Sequence, residues 1–447
     1  MTVFPPHLRL KSKLVSHGTR LIGLARSVFI LAMPWLSLGR AALGQAIPVG
    51  SASPISTGFL LPRIAGTMSY SLTANETLTT GYYSGGGTDS ASGVSGNLAF
   101  ISSSPRYPIS MVFSAGHSFS TSSQPSTSYL DLALSQVVNT RNWNFILSDL
   151  VNYLPGTPST GLSGVPGAGD LGVAPVGAST GQGVLTGYST RVSNTANGSA
   201  VRHLTGKTSL SFTGNYSLLT FLGNSPNNGL DSTSYGASIG LNHRIDGRNS
   251  FGGTYSYANT SYGAAQPAFD SQTASMNYSR QLTRLLSMTV AAGPQWSSSS
   301  SNSSASAPAI PTSINAYATF SLSYIGRFTH YSLSYFHGDN NGFGVVEGAR
   351  SDSASFTASR SFGRVWNTSF TSAYSHTTSL AAVAAGTFSP QTLVDGVQIS
   401  RALPHSLSAY ASYTLEDQTS ATGFDLFSGL FQVTSFGLTY APRSARF

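Results

Sequence analysis

From Gly66 onward, apolar and polar side chains alternate with a period of two over segment after segment. Met68, Tyr70 and Leu72 share one face, as do Ile109, Met111, Phe113 and Ala115; Leu130, Leu132 and Leu134 pair across a short turn with Trp143, Phe145 and Leu147. The pattern returns in Tyr235/Ala237/Ile239/Leu241, Leu286/Met288/Val290, Ala316/Ala318/Phe320/Leu322/Tyr324 and Leu407/Ala409/Ala411/Tyr413/Leu415. Period two is the mark of a β-strand with one apolar face. The opposite faces read Ser209, Ser211, Thr213, Asn215, or Ser406, Ser408, Tyr410, Ser412, Thr414: hydroxyls and amides rather than a second apolar layer. Only the stretch 188–201 is polar in both registers.

A soluble sandwich or propeller also alternates, but its apolar faces must meet another sheet. Here the polar faces carry almost no charge, and Tyr, Trp and Phe gather near strand ends. The spacing predicts about eighteen strands, with sixteen as the alternative, each of roughly ten residues, the length a tilted strand needs to cross a bilayer. Short connections at Pro105-Arg106 and near 139–142, 203–207, 245–250, 282–285, 325–329, 362–365 and 403–405 alternate with long ones. The expected fold is therefore all-β: an up-and-down antiparallel transmembrane β-barrel with its short turns at the periplasmic end.

Charge sorts by end in the same way. Six of the 23 basic residues precede Ala46, leaving 17 against 15 acids in the rest of the chain. Of those 17, all but Arg63, Arg191 and Arg350 lie in or beside the short turns or the C-terminal tail. Every acid except Asp246 falls in a long connection or the strand half nearest it. A sandwich has no reason to separate charge by end, whereas barrel arginines can snorkel beside anionic inner-leaflet headgroups. The remaining excess of two positive charges is no argument for nucleic acid.

Composition agrees: only 9% of residues are charged, against 11% aromatic, and there is no cysteine. A soluble domain carries about a quarter charged residues, and a disordered chain would be poor in aromatics. The N-terminal basic residues Arg9, Lys11, Lys13, Arg20 and Arg26 precede the apolar run Val28–Leu36, and Gly44-Gln45-Ala46 offers small residues for cleavage. Residues 1–46 read as a signal peptide, 47–65 as a short periplasmic segment, and 66–447 as the barrel with long extracellular loops.

The C-terminal stretch Ser435-x-Gly437-x-x-Tyr440, followed by the terminal Phe447, resembles the assembly signal of bacterial outer-membrane β-barrels. Phe447 departs from that pattern, being out of phase with Tyr440 and beyond Pro442. The layout also resembles general porins, in which the loop after the fifth strand folds inward. That resemblance makes the Gly- and Pro-rich stretch Leu154–Thr186, with Asp170 as its one acid, a candidate pore-constricting loop; an exposed loop is the competing reading.

Candidate chemistry is sparse. His337 with Asp339 is the best rim pair for a catalytic base, but sequence proximity alone supplies no nucleophile geometry. No metal-ligand spacing such as H-E-x-x-H occurs, and Gly85-Gly86-Gly87 lacks the Lys and helix of a phosphate loop. No catalytic, cofactor or metal site is expected. The expected function is a porin-like channel in the cell outer membrane for passive diffusion of small hydrophilic solutes, with Tyr317, Tyr410 and Phe336 as lumen aromatics. Its expected partners are outer-membrane lipid and lipopolysaccharide, the barrel-assembly machinery and the solutes themselves, with no nucleic acid. The alternatives are an export conduit for a polymer such as polysaccharide, and a structural or adhesive surface barrel with a shut lumen.

Overall fold

The computed structural model describes residues 66–446 apart from 82–87, 103, 105–107, 121–125, 155–189, 223–230, 263–267, 301–311, 343–345, 347, 381–388 and 420–427. The signal-peptide and periplasmic segments, Asp170, most of the Leu154–Thr186 stretch and Phe447 lie outside the described residues.

The alternating segments form strands β1 (Gly66–Thr80), β2 (Thr88–Ser102), β3 (Ile109–Ser120), β4 (Thr127–Asn139), β5 (Trp143–Leu154) and β6 (Thr190–His203). They continue as β7 (Thr208–Leu222), β8 (Ser232–Arg244), β9 (Asn249–Tyr262), β10 (Ala268–Gln281), β11 (Leu286–Ser300) and β12 (Ser313–Ile325). The last are β13 (Thr329–Asn340), β14 (Ala349–Phe362), β15 (Trp366–Ser379), β16 (Gln391–Ala402), β17 (Leu407–Gln418), β18 (Gly429–Tyr440) and a two-residue β19 (Ala445–Arg446). Each strand pairs antiparallel with the next, and β18 pairs with β1 from Tyr440↔Leu72 to Gln432↔Thr80, closing the barrel. Eighteen strands make the wall, as the spacing predicts, and none of the described residues forms an α-helix. The strands run 12 to 15 residues, longer than the expected ten, because the hairpins continue past the length a bilayer requires.

The registers put Leu72, Leu438, Tyr413, Leu322, Met276 and Ile239 on one face and Ser71, Ser435, Ser412, Ser321, Thr273 and Ser238 on the other. Leu438 is 54% exposed and Ser435 1%. The apolar side therefore faces out and the hydroxyl side faces in, the inverse of a soluble protein. Closure explains this inversion: it satisfies the backbone within the wall, so lipid meets only side chains. An aromatic row crosses the outer face from Tyr324 through Tyr331 and Phe356 to Phe370, with centroid spacings of 5.8, 6.2 and 6.2 Å. Even β6, polar in both registers, is held in the wall from Leu154↔Arg191 to Trp143↔Arg202 by β5 and along its length by β7.

Among the described residues, seven short turns are stitched to the neighbouring hairpin. The carbonyls of Asn142, Lys207, Arg248, Leu285, Phe328, Val365 and Ser406 accept backbone N–H bonds from His203, Arg244, Gln281, Ile325, Ser361, Ala402 and Ala441. This repeated stagger is the shear of a tilted barrel seen at its rim. The C-terminus adds one irregularity. Leu72 opposes Tyr440 but Met68 opposes Ala445, so β1 advances by one residue fewer than the C-terminal chain around Pro442. That is a one-residue bulge, a place where a proline without an N–H is tolerated.

Candidate functional site

The inner wall is the surface a solute would meet, and it is built from short polar side chains bonded across strands. Thr73 meets Thr439 at 2.9 Å, Thr77 meets Ser435 at 2.9 Å, Ser234 meets Thr260 at 2.6 Å, and Ser334 meets Ser355 at 2.6 Å. Charge on this face is scarce. Asp131 and Glu416 are buried in it on β4 and β17, and Arg191 is buried at the long-connection end of β6.

Near its long-connection end the lumen is entered by the end of β13 and the described residues that follow it, Asn341 and Gly342. Pairing of β13 to β12 ends at His337↔Ala318, although both strands continue, and above that point β13 bends inward. Gln295, an inward residue of β11, takes the place of the missing ladder. Its Oε1 accepts from the Asp339 backbone N–H at 2.8 Å, and its Nε2 donates to the Asp339 carbonyl at 2.8 Å and to Ser271 Oγ at 2.9 Å. The Asp339 carboxylate is fully buried and accepts from Arg350 Nε at 2.9 Å and Asn315 Nδ2 at 2.6 Å. Beyond it, Gly342 turns at φ +63°, with its N–H donated to Asn340 Oδ1 at 2.9 Å.

This strap reaches well round the wall. Tyr262 on β9 donates its hydroxyl to the Asn341 carbonyl, and Asn341 Nδ2 donates to Ser234 Oγ of β8 at 3.3 Å. β8 stands five strands from β13, a wall path of roughly 24 Å at about 4.8 Å per strand, so a link between them must cut across the interior. Leu380, just past β15, donates its N–H to the Gly348 carbonyl and packs on Tyr262 and Phe269, both buried inward residues. Val346 and Ala349 are buried as well.

The expected site residues fall into two groups. Tyr317 and Phe336 both point inward at the foot of the strap, with ring centroids 6.1 Å apart, and a Cβ on Gly338 would come 3.2 Å from each ring. Tyr410 also points inward and covers Gly437, where a Cβ would come within 2.6 Å of the ring. Ser435 is inward beside it, and Tyr440 is outward, with its ring 6.3 Å from Tyr70. The structure thus joins Tyr410 to the C-terminal Ser435 and Gly437, residues that sequence reading treats separately.

His337 and Asp339 are not brought together. His337 Nδ1 lies 2.7 Å from Asp352 Oδ1 on the outer face, and Tyr335 donates to the same oxygen at 3.0 Å, while Asp339 belongs to the strap. Sequence reading missed Gln295, Asn315, Asn341 and Tyr262. The one available signal was the turn-forming run Gly338-Asp339-Asn340-Asn341-Gly342.

Closed wall, outward apolar belt, inward hydroxyls and a short-turn rim define an outer-membrane-type β-barrel, and the cell outer membrane is the place for it. No protein-family model matches the chain, and no curated protein matches its sequence. Among solved structures it is similar to OccAB4 of Acinetobacter baumannii, with 10% identity, TM-score 0.45, and coverage of 86% of this chain and 98% of that one. OccK2 (OpdF) of Pseudomonas aeruginosa, solved with glucuronate, gives 12% identity, TM-score 0.42, and coverage of 85% and 98%. OpdK of Pseudomonas aeruginosa, solved with vanillate, gives 10% identity, TM-score 0.43, and coverage of 87% and 100%. At these values the reading of function rests on the residues of this chain's own wall and strap.

Proposed function

We propose that the barrel is a porin-like channel through which small hydrophilic solutes diffuse passively across the outer membrane. The observation that carries this reading is the strap: an inward fold anchored by Gln295, Asp339, Asn341 and Tyr262 across a wall of neutral hydroxyls. An eighteen-stranded barrel is too wide for side chains to fill, so size selection must come from chain folded into it. Neutral polar lining gives little charge preference and offers hydrogen bonds to replace solute hydration. The same fixed strap disfavours a conduit for a polymer, which needs an unobstructed bore.

The test is conductance of the refolded protein in planar bilayers with a panel of sugars as size probes. The expected result is discrete channels that larger sugars fail to enter. Gln295→Ala combined with Tyr262→Phe frees the strap from two anchors, each bond worth about 0.5–1.5 kcal/mol, and should raise both conductance and sugar cutoff at an unchanged yield of folded barrel. A barrel that folds but never conducts is instead the structural or adhesive surface protein.

A further inference from the structure

The outer face at the short-turn end carries a cluster that solute passage does not use. Phe362 and Trp366 oppose each other at the base of the β14–β15 hairpin, and Trp366 opposes Arg401 of β16. The Arg360 guanidinium carbon lies 4.9 Å from the Phe362 ring centre, and that of Arg401 lies 5.1 Å from the Trp366 ring centre. All four residues are exposed on the outward face, and Arg364 stands exposed in the turn between them. Two guanidiniums thus flank an aromatic pair, with a third at its foot.

Protein supplies no counter-charge there. Among the described residues neither Arg360 nor Arg401 has an ion-pair partner, and the one acid at the short-turn end is Asp246, in the β8–β9 turn. Its carboxylate already accepts from the Arg248 and Asn249 backbone N–H groups and from Asn249 Nδ2. Elsewhere on this rim a single arginine lies over Trp143, while Arg327 lies over Phe328 in the β12–β13 turn beside the cluster, where the Phe328 carbonyl accepts from the Ser361 N–H.

We propose that the outer face of β14–β16 at the short-turn end is a binding site for the phosphodiester headgroup of an anionic phospholipid of the inner leaflet. The guanidinium fork matches phosphate oxygens two at a time, which a lysine ammonium does not. Stacking on an aromatic face holds each fork at the interface with fewer waters to shed. Phe362 and Trp366 sit where rings meet the acyl boundary, as interfacial aromatics do. Arg401 is level with Phe362, two residues beyond Arg360, so two strand spacings and that offset put the two arginine backbones about 12 Å apart, within reach of one headgroup given their long side chains. A zwitterionic lipid would bring its own cation up to this cluster, so an anionic one is selected. The proposal rests on the membrane-barrel assignment and not on conduction.

The test uses the folded full-length barrel in phosphatidylcholine nanodiscs containing a minor fraction of phosphatidylglycerol, with retained lipid read by native mass spectrometry. The Arg360→Gln/Arg401→Gln pair should lose phosphatidylglycerol enrichment by about tenfold, equivalent to about 1.4 kcal/mol. The Arg248→Gln/Arg284→Gln pair removes equal charge at the same rim and should change it less than about twofold, under 0.5 kcal/mol. Arg360→Lys/Arg401→Lys keeps the charge but loses the fork and should fall between them. Heat-modifiable migration shows that each variant is folded. Equal loss in both glutamine pairs would reduce the effect to net charge and overturn the site, as would full enrichment in the Arg360/Arg401 glutamine pair. Competition by inorganic phosphate as effective as that by phosphatidylglycerol would assign the cluster to free phosphate and overturn the lipid assignment.

Discussion

At the scale of single residues, side chains that do the shaping are fixed by what lies opposite them rather than by their neighbours in sequence. Gly437 is glycine because the Tyr410 ring occupies the space of a Cβ. Gly437→Ala should cost about 1–3 kcal/mol through overpacking, seen as less heat-modifiable barrel. Tyr410→Ala in the same chain should restore part of it, since the Ala74 carbonyl also crowds the site. Asp246 offers a pH test. The Arg248 backbone N–H, followed by the Asn249 side chain, holds its carboxyl below the ordinary carboxylate range. A group with a lowered folded pKa stabilises above its unfolded value of about 4 and loses that contribution as pH falls through the folded value. Amide exchange at Arg248 and Asn249 should accelerate on acidification in that window, and Asp246→Asn should abolish the step. Alternation made Tyr410 legible as inward, but nothing local predicted that Gln295 would bond to Asp339, 44 residues on.

At the scale of elements, strands were legible and their connections much less so. Period two fixes which residues share a face, and the registers agree with it for β4, β7, β8, β12 and β17. β6 lacked that signal because Asn194 and Thr195 put polar groups on both faces; its neighbours' ladders, not its own pattern, hold it. The strap was hidden for a related reason, since its anchors come from five other strands. One turn invites improvement. His405 and Ser406 adopt φ of 59° and 62° between Pro404 and Leu407, the backbone of a type I′ turn. That conformation favours Asn-Gly. Replacing His405 and Ser406 with Asn and Gly should relieve strain and stabilise the barrel by about 1 kcal/mol, measurable as a higher urea midpoint with unchanged slope.

At the scale of the whole molecule, the barrel divides its surroundings into lipid outside and water inside, and charge should read that division. Leu322 faces out and Ser321 faces in. Leu322→Arg should cost roughly 2–4 kcal/mol if the site lies at the midplane, and less nearer an interface; Ser321→Arg should be tolerated. Equal costs in reversible unfolding from bilayers would reverse the face assignment. Ser412 is a poorer inward probe than alternation suggests, being only 6% exposed.

The meeting of Tyr410 and Gly437 has a further consequence for how the cylinder is finished. β18 must zip to β17 on one side and to β1 on the other, and a slip of two residues keeps every side chain on its proper face. Hydrophobic sorting alone therefore does not detect such an error. The ring of Tyr410 does: shifted by two, it would land on Ser435 or Thr439, each of which already fills the gap with a Cβ. The tyrosine acts as a key that turns only in one notch, so the register of β18 on β17, and with it the strand edge offered to β1, is checked from the water-facing side while Tyr440 is displayed on the lipid-facing side. A mis-zipped wall would carry a different stagger between its hairpins and a different bore, and the notch makes that mismatch costly before the seam is complete.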